Sequence, residues 1–239
     1  MTQYFKSFAF EMRFDKAAIS SVPPKEQVER ALNYLAALGE LHPILANWYL
    51  KGDSLEQALE KNALTNRGYL MNEAGLNMDH TPDAVKFAVW NGIEDPLQGG
   101  LTFRFNAHAK RSMSTMSFND GGALLSALTE PRALLLEMMR RAVVAWPEID
   151  WGVIAPEEYY LDGKVFPDRQ TIGWIGFCPH ALRPSDYPDA TVLLEVPGRG
   201  TLVVTCPEVM DPSNREHFRA VGTIDTKLVK LGYLPTFNN

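Results

Sequence analysis

Cysteine is scarce in this chain, and long apolar runs are absent. The two cysteines, Cys178 and Cys206, are too few for a disulfide framework or a cysteine-based zinc site, and both lie in strand-like sequence. We therefore expect two buried free thiols. No run reaches the roughly 18 apolar residues that a membrane helix needs, and the N-terminal residues lack the basic and cleavable apolar regions of a leader peptide. The sequence therefore predicts a cytosolic protein with no membrane span.

Basic residues are also fewer than acidic ones. The chain has 23 Lys and Arg against 29 Asp and Glu, which gives a formal net charge of -6 and a pI near 5.4. Nucleic-acid binding depends on clustered Lys and Arg that meet phosphates, so this balance argues against a direct nucleic-acid partner. The same balance favours a basic protein partner through long-range electrostatic attraction.

Motifs of catalysis and cofactor binding are missing as well. The sequence has no GxSxG elbow, no HExxH, no phosphate-binding GxxxxGK[ST] and no glycine-rich fingerprint after a strand. Without short ligand spacing in the sequence, histidines could form a metal site only if the fold brought them together. The five histidines are scattered through the chain: His42, His80, His108, His180 and His217. We therefore expect neither a cofactor nor a metal site.

The clearest structural pattern lies between Asp168 and Cys206. The segments TVLLEV and TLVVTC alternate apolar and polar residues, and a turn at residues 197–200 joins them at hairpin length. This pattern predicts a β-hairpin, preceded by a strand at 172–177. Period-two alternation predicts further strands, of which the second to fourth favour an antiparallel meander. These strands lie at 4–14, 85–89, 101–105, 112–118 and 150–155.

Helical spacing of apolar residues and terminal signals predict four helices. The first begins after Pro24 and ends at Gly39, and the second begins at the N-cap Asp53 with its partner Glu56. The third runs from the cap Thr129 to about Trp146, and the fourth runs from the capping pair Ser213 and Glu216 to Gly232. Residues 62–82 show no regular apolar periodicity, so we predict only a loop or a broken helix there. Because strands come in runs with helices inserted, we expect an α+β fold with a mainly antiparallel sheet. We expect one domain over 1–239, which can comprise two intimately associated halves at 1–122 and 123–239.

One pair of residues raises the question of catalysis. Cys178 and His180 are two apart in strand-like sequence and would share a face, and Asp186 is near enough to orient the imidazole. The alternative is a buried thiol and a histidine at a strand end. We favour this alternative because catalytic Cys/His pairs usually come from distant segments. If Cys178 and His180 were catalytic, the protein would be a small cytosolic hydrolase or transferase, and this enzyme is the second function that we consider.

The run PEIDWGVIAPEEYYLD at 147–162 is the candidate partner-binding segment. It contains five carboxylates and no Lys or Arg, with aromatic residues among them. Aromatic side chains supply contact area, and carboxylates steer a basic partner. The alternative is a solvated loop with its tyrosines in the core. The candidate residues are Trp151, Glu157, Glu158, Tyr159, Tyr160 and Asp162.

Four blocks of sequence occur in an order that resembles the immunity protein 52 family of bacterial polymorphic toxin systems. They are NWYLKGDSLEQAL at 47–59, AVWNG at 88–92, IGWIGFCPHALRPSDYP at 172–188 and GRGTLVVTCPEVMDPSNREH at 198–217, followed by IDTKLVKLGYLP. The resemblance implies a cytosolic antidote that is encoded beside a toxin and blocks it by binding. It implies a toxin of the restriction-endonuclease-like nuclease class, often delivered by type VI secretion.

The resemblance carries no catalytic residue and no cofactor to this chain. It agrees with the acidic composition, because a nuclease needs basic surface to hold phosphates and carboxylates compete for that surface. A homodimer through an exposed strand edge or the C-terminal helix stays open.

Overall fold

The strands and helices of the computed structural model form an α+β fold, as the sequence predicts. The structure describes residues 7–76, 84–108, 113–119 and 121–237. The chain divides into two compact units, one from residues 1–12 and 129–239 and the other from residues 13–128. The organisation as one domain with halves at 1–122 and 123–239 stays a prediction. Within the described residues, no helix has the length and apolarity to cross a membrane.

The 13–128 unit contains the predicted antiparallel meander. Its strands are β2 (Ala84–Trp90), β3 (Thr102–His108) and β4 (Ser114–Asn119), which pair in that order. Their alternation puts Phe87, Phe103 and Phe118 inside. There the ring centroids of Phe103 and Phe118 lie 5.1 Å apart. The helices are α1 (Lys16–Ser21), α2 (Pro24–Gly39), α3 (Leu55–Leu59), α4 (Arg67–Glu73) and α5 (Gly121–Ala127).

Three of these helices were not predicted as such. The short helices α1 and α5 were not expected at all, and α4 lies in a segment predicted as a loop or a broken helix, of which residues 77–83 fall outside the described residues. The predicted cap of α3 was wrong by one residue. Ser54 is the N-cap instead of Asp53, because its hydroxyl accepts the hydrogen bond from Gln57 N at 3.3 Å.

The other unit contains five strands in the order β1-β5-β6-β8-β7. They are β1 (Phe8–Phe14, which extends two residues past Met12), β5 (Ile149–Pro156), β6 (Ile175–Cys178), β7 (Val192–Val196) and β8 (Gly200–Val204). The predicted hairpin is confirmed, since β7 and β8 pair antiparallel from Val192–Val204 to Val196–Gly200. The predicted strand at 172–177 is shorter at its start, because Gly173 has φ +62° and breaks the extended run.

Two helices, α6 (Pro131–Ala145) and α7 (Arg215–Lys230), complete this unit. Their predicted N-caps were wrong. Glu130 precedes α6 in place of Thr129, and proline at the first helical position begins the helix without a side-chain cap. Asn214 caps α7 in place of Ser213, and its Oδ1 accepts from Glu216 N at 3.0 Å.

Arg199, at the tip of the β7–β8 hairpin, connects the turn to the end of α6. Its guanidinium donates to the carbonyl oxygens of Val143 at 3.1 Å, Trp146 at 3.1 Å and Ile149 at 3.0 Å. The bond to Val143 O satisfies a carbonyl in the last turn of α6, the bonds to Trp146 O and Ile149 O hold the connection from α6 to β5, and the positive charge suits the C-terminal end of the helix dipole. Gly200 has φ +144°, and an added Cβ would lie 2.2 Å from the Cys178 carbonyl oxygen, so only glycine fits.

Candidate functional site

The acidic segment leaves β5 and forms an irregular turn. Glu157 N donates to Ser7 O at 3.1 Å, and a π-helical turn then spans Tyr159–Gly163. Such turns are rare and are frequent at functional sites. An added Cβ on Gly163 would lie 2.9 Å from the Tyr159 ring and 3.0 Å from the Phe218 ring, so the turn closes tightly on these two aromatics. We name residues 157–162 the acidic turn.

Two of the six predicted contact residues are buried. Trp151 is 1% exposed and its indole nitrogen donates to Thr171 O at 3.0 Å. Tyr159 is 0% exposed and its ring packs edge-on against Phe218, with centroids 4.8 Å apart. Burial raises the pKa of the Tyr159 hydroxyl well above its usual value. Trp151 and Tyr159 therefore support the segment from the core, and neither supplies contact area to a partner in this structure.

The remaining predicted residues face solvent to different extents. Glu157, Glu158 and Asp162 are exposed, and among the described residues none of the three takes part in a salt bridge. Tyr160 is half-buried, and its hydroxyl donates to Gln170 Oε1 at 3.2 Å. The turn therefore presents three carboxylates whose charge is not neutralised by a neighbouring cation in the described part of the chain.

Leu161 is the residue of this surface that sequence reasoning missed. Its side chain is 62% exposed, between Tyr160 and Asp162. In a protein contact, an apolar side chain beside carboxylates can act as the centre that gains from desolvation, while the charged groups supply orientation. The available signal was the position of a leucine inside a run of acids, but the sequence does not show which way it points.

A buried carboxyl group lies beneath the acidic turn. Asp225 of α7 is 1% exposed; its Oδ2 accepts from Thr171 Oγ1 at 2.6 Å and its Oδ1 from Ile172 N at 2.9 Å. Burial raises the pKa of this carboxyl to about 7, although the two hydrogen bonds and the positive charge of Lys164 favour the ionised form. These contacts join α7 to residues 171–172, where Trp151 also donates.

Cys178 and His180 do not form an activated pair. Cys178 is 0% exposed, and burial raises the pKa of its thiol to about 11. The His180 ring stacks on the Tyr233 ring with centroids 3.7 Å apart, and burial lowers its pKa. Among the described residues, no hydrogen bond joins Asp186 to His180; the Asp186 carboxylate accepts from Ser185 Oγ at 3.3 Å. A protonated thiol out of reach of solvent is a poor nucleophile.

Two other histidines have structural contacts. Nδ1 of His42 accepts from Ile44 N at 3.2 Å, and His217 lies between Asp211 N and the Glu208 carboxylate. His80 lies outside the described residues, and so does the side chain of His108. Over the described part of the chain, no group of three or more His, Cys, Asp or Glu side chains is placed to hold a metal ion.

The family model of immunity protein 52 matches residues 19–236, nearly the whole chain, so this chain belongs to the immunity protein 52 family. No curated protein matches the chain in sequence. The predicted family is therefore confirmed.

Proposed function

We infer that this protein binds and neutralises a cognate nuclease-type toxin in the cytoplasm of the cell that makes both, without catalysis. Membership of the immunity protein 52 family supports an immunity role. The observation that carries the mode of action is the acidic turn, where three exposed carboxylates and exposed Leu161 lie within six consecutive residues. We infer further that the toxin belongs to a polymorphic system, is of the restriction-endonuclease-like class and is delivered by type VI secretion.

Electrostatics explains why such a surface suits a nuclease. A nuclease carries clustered Lys and Arg to hold phosphates, and the carboxylates of Glu157, Glu158 and Asp162 offer those cations an alternative set of oxygens. Exposed charges at an interface chiefly raise the association rate, while an apolar anchor such as Leu161 slows dissociation. The acidic turn therefore supplies both fast capture and retention.

The alternative function, a small hydrolase or transferase, would use Cys178 and His180. A nucleophile of this kind needs a thiolate with access to substrate. Cys178 is buried and its thiol pKa is raised, so the geometry favours stoichiometric binding over turnover.

Charge reversal on the acidic turn tests the proposal. We expect Glu157→Lys/Glu158→Lys to slow association with the toxin by about tenfold at low salt, with a smaller effect at high salt, because exposed interface charges act through steering. The matched control is Glu73→Lys/Glu195→Lys, which makes the same charge change at two exposed positions elsewhere. The measurement is stopped-flow or biolayer interferometry with an inactive form of the toxin encoded next to this gene.

Protection of cells is the parallel measurement. Cells that express the active toxin should survive with the wild-type protein and with the control double variant, and the toxin should copurify with both. Failure of the wild-type protein to copurify or protect would refute the proposed function. Equal association rates for both double variants would remove the acidic turn from the interface and leave the function in place.

A further inference from the structure

A groove of about 490 Å³ lies within the 13–128 unit, between α3 and the outer face of β2 and β3. Its floor is built from two paired positions of the meander, Ala88 opposite Arg104 and Trp90 opposite Thr102. Leu55 of α3 lines one side and is 43% exposed. The volume is within the usual range for ligand-binding clefts, about 300 to 1,000 Å³.

Backbone pairing holds one wall of the groove in place. Tyr49 N donates to Trp90 O at 2.8 Å, and Trp90 N donates to Tyr49 O at 3.0 Å. The chain then continues from Tyr49 through Lys51 and Gly52, which line the groove, into α3. An added Cβ on Gly52 would lie 2.6 Å from Ala58 N, so α3 closes directly onto this wall.

The buried side chain of Asn91 holds a second wall. Its Nδ2 donates to Gly99 O at 2.9 Å and to Ile44 O at 3.1 Å, and its Oδ1 accepts from Leu101 N at 2.9 Å. These bonds fix the loop that carries Ile93, Glu94 and Gly100 along the groove. A groove with both walls fixed requires little ordering when a ligand binds, which favours affinity.

The groove carries more positive than negative side chains, although the protein as a whole is acidic. The formal net charge is -6, yet the groove contains exposed Lys51 and Arg104, and neither forms a salt bridge with any described residue. The apolar surface between them comes from Leu55, Trp90 and Ile93. Such a surface complements a carboxylate next to an apolar side chain. Nucleic acid fits less well, because two cations beside Glu94 neutralise few phosphates.

We propose that this groove binds an extended peptide segment of the toxin that carries a carboxylate beside an apolar side chain. The carboxylate pairs with Arg104, whose planar guanidinium binds carboxylates in two-point fashion, and the apolar side chain lies against Trp90 and Leu55. This assignment rests on the proposed function, and it adds a contact of opposite charge to the acidic turn. Recognition of a carboxylate distinguishes the cognate toxin from proteins that offer only basic surface.

The test is charge reversal at Arg104 with a control on the same face. Arg104→Glu should weaken binding of the purified, inactive toxin by at least about tenfold, because it replaces an ion pair with repulsion. Arg104→Lys should retain part of the affinity. Lys86→Glu is the matched control, because Lys86 is exposed on the same face of β2, opposite Asn106, and does not line the groove. Calorimetry gives the affinities, and thermal unfolding verifies that each variant is folded.

A second variant keeps the test independent of charge. Ala88→Tyr places an aromatic ring on the floor and should weaken binding without changing the net charge. Wild-type affinity in both Arg104→Glu and Ala88→Tyr would overturn the groove assignment while the proposed function stands. An equal loss in Lys86→Glu would also overturn it, since the effect would then come from overall charge. No binding by the wild-type protein would refute the proposed function and the groove together.

Nucleic acid is the competing occupant. Fluorescence anisotropy with a labelled single-stranded DNA oligonucleotide should show no binding at physiological salt. Binding that Arg104→Glu abolishes would assign the groove to nucleic acid and overturn the peptide proposal.

Discussion

Asp225→Asn should make the protein more stable at neutral and alkaline pH and remove part of its pH dependence. The carboxyl is 1% exposed and accepts from Thr171 Oγ1 and Ile172 N. Asparagine has the same shape, so its Oδ1 can keep the bond from Ile172 N, and its amide can donate to the Thr171 hydroxyl. The substitution therefore removes a buried charge and keeps the contacts.

The magnitude follows from the two protonation equilibria. Burial raises the pKa of Asp225 to about 7 in the folded protein, whereas an unfolded aspartate titrates near 3.9. The folded state binds the proton more tightly, so the stability from this group is complete below about pH 4, falls as pH rises, and levels off above about pH 7. Three pH units correspond to about 4 kcal/mol, of which more than half falls between pH 5 and pH 8.

Urea unfolding of the wild-type protein and Asp225→Asn at pH 5 and pH 8 measures this effect. We expect the stability of the variant relative to wild type to increase by about 2 to 3 kcal/mol from pH 5 to pH 8. Other titrating groups are common to both proteins and cancel in the difference. Asp53→Asn, at an exposed position, is the control and should follow the wild-type protein at both pH values. A difference that does not change with pH would refute the reasoning about the buried carboxyl.

Two further substitutions test contacts described above. Arg199→Ala should lower the free energy of unfolding by about 2 to 3 kcal/mol, because three carbonyls lose a charged donor. Arg199→Lys should recover less than half of this loss. Urea unfolding measures both variants, and an unchanged midpoint in the alanine variant would contradict this account. Cys178→Ser should protect cells from the toxin as well as wild type does, with a stability loss of about 1 to 2 kcal/mol from the buried hydroxyl. A complete loss of protection by a folded Cys178→Ser variant would support a catalytic role for Cys178.

The elements predicted from sequence are those whose signal is local and repeated. Strands β2 and β4 of the meander alternate between buried and less buried residues over their whole length, and the β7–β8 hairpin combines β-branched residues with a glycine-bearing turn of hairpin length, so an error at one residue leaves the pattern visible. The end of α7 was predicted from Gly232, and the structure gives this residue φ +71°, a conformation that favours glycine. The short helices α1, α4 and α5 have six or seven residues each, too few for a period of 3.6 to be distinguished from chance.

The errors at the caps have a different cause. Asp53 and Ser54 are both good N-caps, as are Ser213 and Asn214, and the sequence offers no means to choose between neighbours. The backbone decides: Ser54 and Asn214 are extended and direct their oxygens to the N-H groups of Gln57 and Glu216.

The candidate site was only partly visible because side-chain direction depends on the fold. The acidic composition of residues 147–162 was evident, but the burial of Trp151 and Tyr159 depends on β5 having both faces covered and on Phe218 from α7. Nothing local indicates those contacts. The groove beside α3 was missed for the same reason, since Leu55, Trp90 and Arg104 come from three separate segments.

The tip of the β7–β8 hairpin has a consequence for anyone who wishes to label this protein. A glycine-rich turn between two short strands is the usual choice for inserting an epitope or a fluorophore, because such loops tolerate added length. Here the loop is anchored through the guanidinium of Arg199, and an insertion beside it would pull that side chain away from α6. Reporter sequences belong elsewhere on the surface.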